Sequence, residues 1–298
     1  PLVKRGVPVK TVHIENLGFP ATLADTKVLI MTYSNMKPLD PEAHRHLADW
    51  VRKGGMLVYC GSDADPFQMV QEWWNTGENS YAAPSQHLFS LIDVPADAAA
   101  GEYKVGKGTL VVLRDDPKTH ILKKDGDAKF MEEVSRLYAM KNKGKRPEFK
   151  NDFLLQRGPY TIAAVVDEGV SPDPLVLKGK YIDMFDPALP VRDEIVVKPG
   201  AQALLLDLGQ VEKPKQPQVL AASFRESDEV AGKHDYSFVA KSPIDTDGVA
   251  RVLLPSAPTS VLVDGVETFS PSAWDAASRT YLLKFENHPD GHRVQFRW

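Results

Sequence analysis

Two adjacent indoles, Trp73 and Trp74, open the polar run NTGENS within QEWWNTGENSYAAPSQHLF (71–89). Aromatic faces stack on the C–H surfaces of sugars and on other flat ligands, and Trp is the best residue for that. Asn75 follows directly, and Asp63 and Asp65 in GSDADP (61–66) lie shortly before. Together Trp73, Trp74, Asn75, Asp63 and Asp65 are the candidate carbohydrate contacts. The competing reading places both Trp side chains in the packing of a helix and its covering loop, since Trp is usually highly buried. The two aspartates could also offer oxygens to a hard cation, but such a loop more often serves turns and helix caps.

Cys60 is the only cysteine. It ends an apolar run and precedes a turn, where the nucleophile of an α/β enzyme would sit. Small flanking residues are missing there, because the window reads Val58-Tyr59-Cys60-Gly61-Ser62. A catalytic thiol also needs a histidine base, and the one His-x-Glu, His13-Ile14-Glu15, lies upstream. The plain alternative is a small buried apolar residue at a strand end. His44 and His46 sit two apart in a helical segment and do not share a face, so no metal site is expected. Acids suitable for glycoside hydrolysis are plentiful but unpaired by sequence, and a catalytic barrel of about 250 residues does not fit beside the β region. GEYKVGKGT (101–109) precedes a strand and opens no helix, so it is not a phosphate loop. No cofactor is expected.

The elements that must hold these residues change character along the chain. In the first half, GVPVKTVHI alternates as a strand, and TKVLIMTYS and MLVYCG are apolar runs of buried-strand type. Between them LDPEAHRHLADWVRKGG (39–55) carries Asp40 as a cap, Pro41 at the first helical position, and Gly54-Gly55 as a stop. A helix from about Pro66 through Trp74 is expected next, then the strand GKGTLVVLRDD and the helix DAKFMEEVSRLYAM. Strand–helix–strand order implies right-handed crossovers and a parallel sheet. After the basic run KNKGKRPEFKND, short strands broken by Pro, Gly and Asp turns continue to HRVQFRW at the end, a β-sandwich pattern. The fold class expected is therefore α/β plus all-β: a doubly wound, flavodoxin-like parallel sheet domain followed by one or two β-sandwich domains. The boundaries read are 1–150, 151–212 and 213–298.

Composition narrows the partners. The 298 residues are 43% hydrophobic and 26% charged, with net charge −4, so there is a real core and no basic field for nucleic acid. One cysteine excludes an internal disulfide. No apolar run approaches the roughly 20 residues that span a bilayer. The chain starts in mid-pattern at Pro1, and we read it as part of something longer.

VPVKTVHIENL…TKVLIMTYSNMKPLDPEAHRHLADWVRKGGMLVYCGSD resembles the class I glutamine amidotransferase-like domain found inside large bacterial glycoside hydrolases, related to the trimerisation domain of family 42 β-galactosidases. GKYIDMFDPALPVRDEIVVKPGAQALLLDL (179–208) resembles the β-sandwich that follows catalytic barrels in sugar-active enzymes. In amidotransferases the cysteine has flanking glycines and a His-x-Glu follows it. Cys60 has neither, so the resemblance implies the fold without glutaminase activity, and Cys60 as a degenerate nucleophile position.

The expected function is that of a non-catalytic C-terminal portion of a larger glycoside hydrolase, supporting assembly. Its partners would be the N-terminal catalytic domain or another copy of itself, with possible contact to carbohydrate, and a periplasmic or extracellular parent. One rival is an autonomous carbohydrate-binding protein using Trp274 or Tyr281 as platforms, with Trp298 packing. Another is a hydrolase using Cys60.

Overall fold

The computed structural model describes residues 1–34, 36–64, 70–123, 125–213 and 215–298. It divides into two compact units, Pro1–Phe149 and Lys150–Trp298.

In the first unit, strands β1 (Leu29–Met31), β2 (Met56–Cys60), β3 (Gly101–Val105) and β4 (Gly108–Leu113) form one sheet in the order β1-β2-β4-β3. Helices are α1 (Glu42–Arg52), α2 (Pro84–Leu91), α3 (Thr119–Leu122) and α4 (Ala128–Lys141). Every residue of β2 is buried, because both faces are covered. Leu57 and Tyr59 point to Leu47 and Val51 of α1 and to Leu88 and Phe89 of α2. Met56, Val58 and Cys60 alternate to the other side and meet Phe130, Met131, Val134 and Leu137 of α4. α1 begins as its residues dictate: the Glu42 amide donates to Asp40 Oδ1 at 2.8 Å. It ends at Gly54, whose φ of +120° suits glycine.

The doubly wound flavodoxin-like parallel sheet expected from the sequence does not form. A flavodoxin-like sheet runs five strands in the order 2-1-3-4-5. Here β2 is parallel to β1 and β4, while β3 pairs antiparallel with β4 through a tight hairpin and closes that edge. GVPVKTVHI, read as a strand, joins no ladder among the described residues. Pro8, its third residue, has no N–H to give to one. The remaining sheets of the chain are antiparallel throughout, so the molecule is mainly an antiparallel β protein.

The second unit starts with β5 (Asp152–Arg157), β6 (Tyr160–Val165), β7 (Leu175–Asp183), β8 (Val191–Val197) and β9 (Gln202–Asp207), in the order β5-β6-β9-β7-β8. Then follow β10 (Gln218–Ala222), β11 (Arg225–Ala231), β12 (Asp235–Lys241), β13 (Asp247–Leu253), β14 (Ser260–Val263), β15 (Val266–Glu267), β16 (Trp274–Asp275), β17 (Thr280–Glu286) and β18 (His292–Arg297). Sheets β10-β13-β17-β16 and β11-β12-β18-β14-β15 enclose Tyr236, Phe238, Val252, Val261, Tyr281, Leu283, Val294 and Phe296. The division read near residue 212 falls in the connection between β9 and β10. Ile182 and Leu206 from one side of it share a core with Leu220, Ala221 and Leu253 from the other. Buried Arg251 reinforces that join, donating from Nε and Nη2 to the Leu189 carbonyl at 3.1 and 2.7 Å.

Candidate functional site

The carboxyl end of β2 is where the sequence placed its candidates. The chain leaves the sheet at Gly61, and Asp63 turns it with φ +57°, a conformation Asp tolerates better than most residues. Its carboxylate then collects three donors. The Tyr59 hydroxyl donates to Oδ1; Ser85 Oγ at 2.7 Å and Arg114 Nη1 at 2.5 Å donate to Oδ2. Arg114 also donates twice to the Ala98 carbonyl, at 2.9 and 2.6 Å, and lies over the rings of Tyr59 and Phe89. One carboxylate therefore ties β2, α2 and the segment after β4 together. Burial, and next the Asp63 charge, push the Tyr59 phenol far above its ordinary value.

Beside this hub runs a second chain of polar groups. Tyr33, just past β1, shares a hydrogen bond of 2.6 Å between its hydroxyl and His44 Nε2. His44 Nδ1 meets His87 Nδ1 at 2.9 Å, with the two rings stacked. His44 projects from α1 and His87 from α2. Burial, then the neighbouring His87, lower the His44 pKa to about 3; burial, then the Arg45 charge, lower that of His87.

Trp73 and Trp74 lie in a turn. Trp73 is partly exposed, and its ring is T-shaped to both histidines, at 5.5 and 5.0 Å between centroids. Its indole N–H donates to the Pro38 carbonyl at 2.9 Å. Trp74 is 1% exposed, so its faces belong to the core, and its Nε1 has no hydrogen-bond partner. Asn75 spends its amide inside the turn: Oδ1 accepts from Glu72 N at 2.8 Å and Nδ2 donates to the Val70 carbonyl at 2.7 Å. The structure thus gathers Asp63 and Trp73 around one end of the sheet, with their polar atoms turned inward. Asp65 and the first four residues of the helix expected over Pro66–Trp74 lie outside the described residues, and its described remainder, 70–74, holds a bend and a turn and no helix.

Cys60 is 2% exposed, and burial, then the charge of Asp115, push its thiol up to about 12, so at neutral pH it is not a thiolate. His44 is buried while His46 is exposed. Among the described residues, no group of three or more His, Cys, Asp or Glu could hold a metal, and no helix is long and apolar enough to cross a membrane. Tyr281 is buried in the sandwich and Trp274 packs against the same core.

Sequence reasoning did not find the Tyr33–His44–His87 chain or the part played by Ser85 and Arg114. One signal was available. His44 stands on the apolar stripe of its helix with Leu47, Ala48 and Val51, and a polar ring at such a position needs an internal partner.

No family model and no curated protein matches this chain. Solved structures do. A β-galactosidase from Bacillus circulans sp. alkalophilus aligns with 68% of this chain and 35% of its own, at 12% identity and a TM-score of 0.38. The GH42 β-galactosidase Gan42B aligns with 68% of this chain and 34% of its own, at 15% identity and a TM-score of 0.36. A catalytic mutant of Gan42B from G. stearothermophilus gives the same figures of 68%, 34%, 15% and 0.36. This chain spans about a third of the length of those proteins. A likeness of that depth assigns neither family nor activity.

Proposed function

We propose that this chain is a non-catalytic, supporting portion of a larger carbohydrate-active enzyme, and that its second unit packs against the parent's catalytic domain. The observation that carries this reading is an uncovered apolar row on the sheet β5-β6-β9-β7-β8. Leu155, Ile162 and Leu204 stand opposite one another across β5, β6 and β9. They lie on the face turned away from Ala163, Val165 and Leu205, which fill that sheet's own core. Leu155 is 50% exposed, Ile162 39% and Tyr160 37%. β5 is also an edge strand with Leu154, on its other side, 51% exposed. Single exposed apolar residues are ordinary, but a contiguous row beside an open strand edge marks an interaction surface.

Under this reading the Trp73 turn would wall a cleft in the assembled enzyme, and Asp63 would fix the end of the sheet that presents it. The test is the mass of the native protein in its source cells, detected with an antibody to this chain. A species far larger than 33.0 kDa, whose association with its catalytic part is weakened by Leu155→Lys and Ile162→Lys, is the expected result. A native species of about the chain's own mass would sink the proposal.

A further inference from the structure

We propose that the His44–His87 pair is a proton-operated latch that holds the Trp73–Trp74 turn against α1 and α2. The inference stands on residues of this chain alone and does not depend on the proposed assembly.

The argument starts from the atoms. Two Nδ1 atoms at 2.9 Å can share one proton: one ring donates and the other accepts. Tyr33 completes the relay at His44 Nε2, donating there when His44 Nδ1 donates onward and accepting when it does not. His87 Nε2 has no hydrogen-bond partner among the described residues, so the relay ends there. A first proton enters at that nitrogen in the tautomer in which His87 Nδ1–H donates to His44 and His44 Nε2–H donates to Tyr33, and it leaves one cation in the closed pair. A second has no place, because two N–H groups would then face each other across the gap between two cationic rings.

No described carboxylate offsets the electrostatic cost. Among the described residues no carboxylate forms an ion pair with either ring. The groups facing the pair are the Tyr33 phenol beyond β1, Tyr81 before α2, whose ring lies edge-on to His87, and Arg45 on α1, which adds repulsion at His87. Arg45 is itself paired with Glu42. Asp63 and Glu15 act on Tyr33, not on the histidines.

What the latch holds is the turn. The Trp73 ring stands T-shaped to both imidazoles, and Trp74 packs T-shaped against Trp73 at 5.8 Å. When the histidines part, the Trp73 indole loses that seat. One or two protons taken up on opening raise the open population by about ten- to a hundredfold per pH unit below the ordinary histidine value.

Hydrogen exchange at the Trp73 indole N–H, followed by NMR from pH 7.5 to 4.5, reads the opening directly. In the wild-type chain its protection should fall steeply below pH 6.5, while the Leu283 amide in the other unit stays protected. His87→Gln keeps a donor and an acceptor toward His44 but does not titrate, so the slope should drop by about tenfold per unit. In the His44→Gln/His87→Gln double variant it should vanish. Undiminished protection at pH 4.5, an equal fall in the double variant, or simultaneous loss at Leu283 would overturn the latch. If the variants do not fold, the ring carbons of His44 and His87 are titrated in the wild-type protein. Both rings charging near pH 6.5 with Trp73 still protected would equally refute it.

Discussion

Asp63 Oδ2 and Arg114 Nη1 meet at 2.5 Å across 51 positions of sequence, and they do so where β2 and β4 both end. Arg114 is then the cation that makes the Asp63 turn possible, since the same carboxylate must also satisfy Tyr59 and Ser85. Replacing it by Met leaves the carboxylate and the Ala98 carbonyl short of donors. Loss of a charged hydrogen bond in a partly buried site costs about 2 kcal/mol. Urea denaturation of Arg114→Met should show that loss, and Asp63→Asn should also destabilise, because the amide nitrogen cannot accept.

Cys60 should be chemically silent in the folded protein. With its thiol pushed up to about 12 and its side chain enclosed by α4, iodoacetamide at pH 7.5 should label it only in denaturant. Stoichiometric labelling of the native chain would revive the nucleophile reading.

Acid should weaken the first unit through His44. Its folded pKa, about 3, lies below its unfolded value, so the unfolded chain binds the proton first. The contribution is complete above about pH 6.5 and is lost as pH falls toward the folded value. Urea midpoints measured between pH 7.5 and 4 should fall, and the fall should be shallower in His44→Gln. A wild-type midpoint that stays level over that range would contradict the burial argument.

Gly108 opens β4 where the backbone comes close to α1. A Cβ there would sit 2.0 Å from the Val51 carbonyl oxygen and 2.4 Å from that of Gly55. Neither obstacle is a movable side-chain tip. Gly108→Ala should therefore lower stability by at least about 2 kcal/mol, while the same change at Gly77, whose Cβ would meet nothing within 4 Å, should cost only what its positive φ imposes.

Some of this was legible in the letters. α1 announces itself through Asp40, Pro41 and the Gly54-Gly55 stop, and β2 and β4 through apolar runs long enough to be buried on both faces. The strand pattern of residues 6–14 misled, because alternation carries no information about whether a partner edge exists, and Pro8 removes a donor the edge would need. β3 was missed because Gly101–Val105 is mostly polar and exposed, and only its hairpin with β4 makes it a strand. The site was legible in place but not in wiring. Asp63 and the Trp pair were visible as unusual residues. That His44 would find His87, 43 positions away, depends on how α1 and α2 share one face of the sheet, which no local pattern encodes.

The shared core around Ile182, Leu206, Leu220 and Leu253, with Arg251 reaching back to Leu189, has a calorimetric meaning. The sheets on either side of residue 212 cannot melt independently without stripping apolar surface from each other and stranding a guanidinium. Residues 150–298 should therefore absorb heat as one transition, and a substitution in β7 should shift the melting of β13 as surely as one in β13 itself.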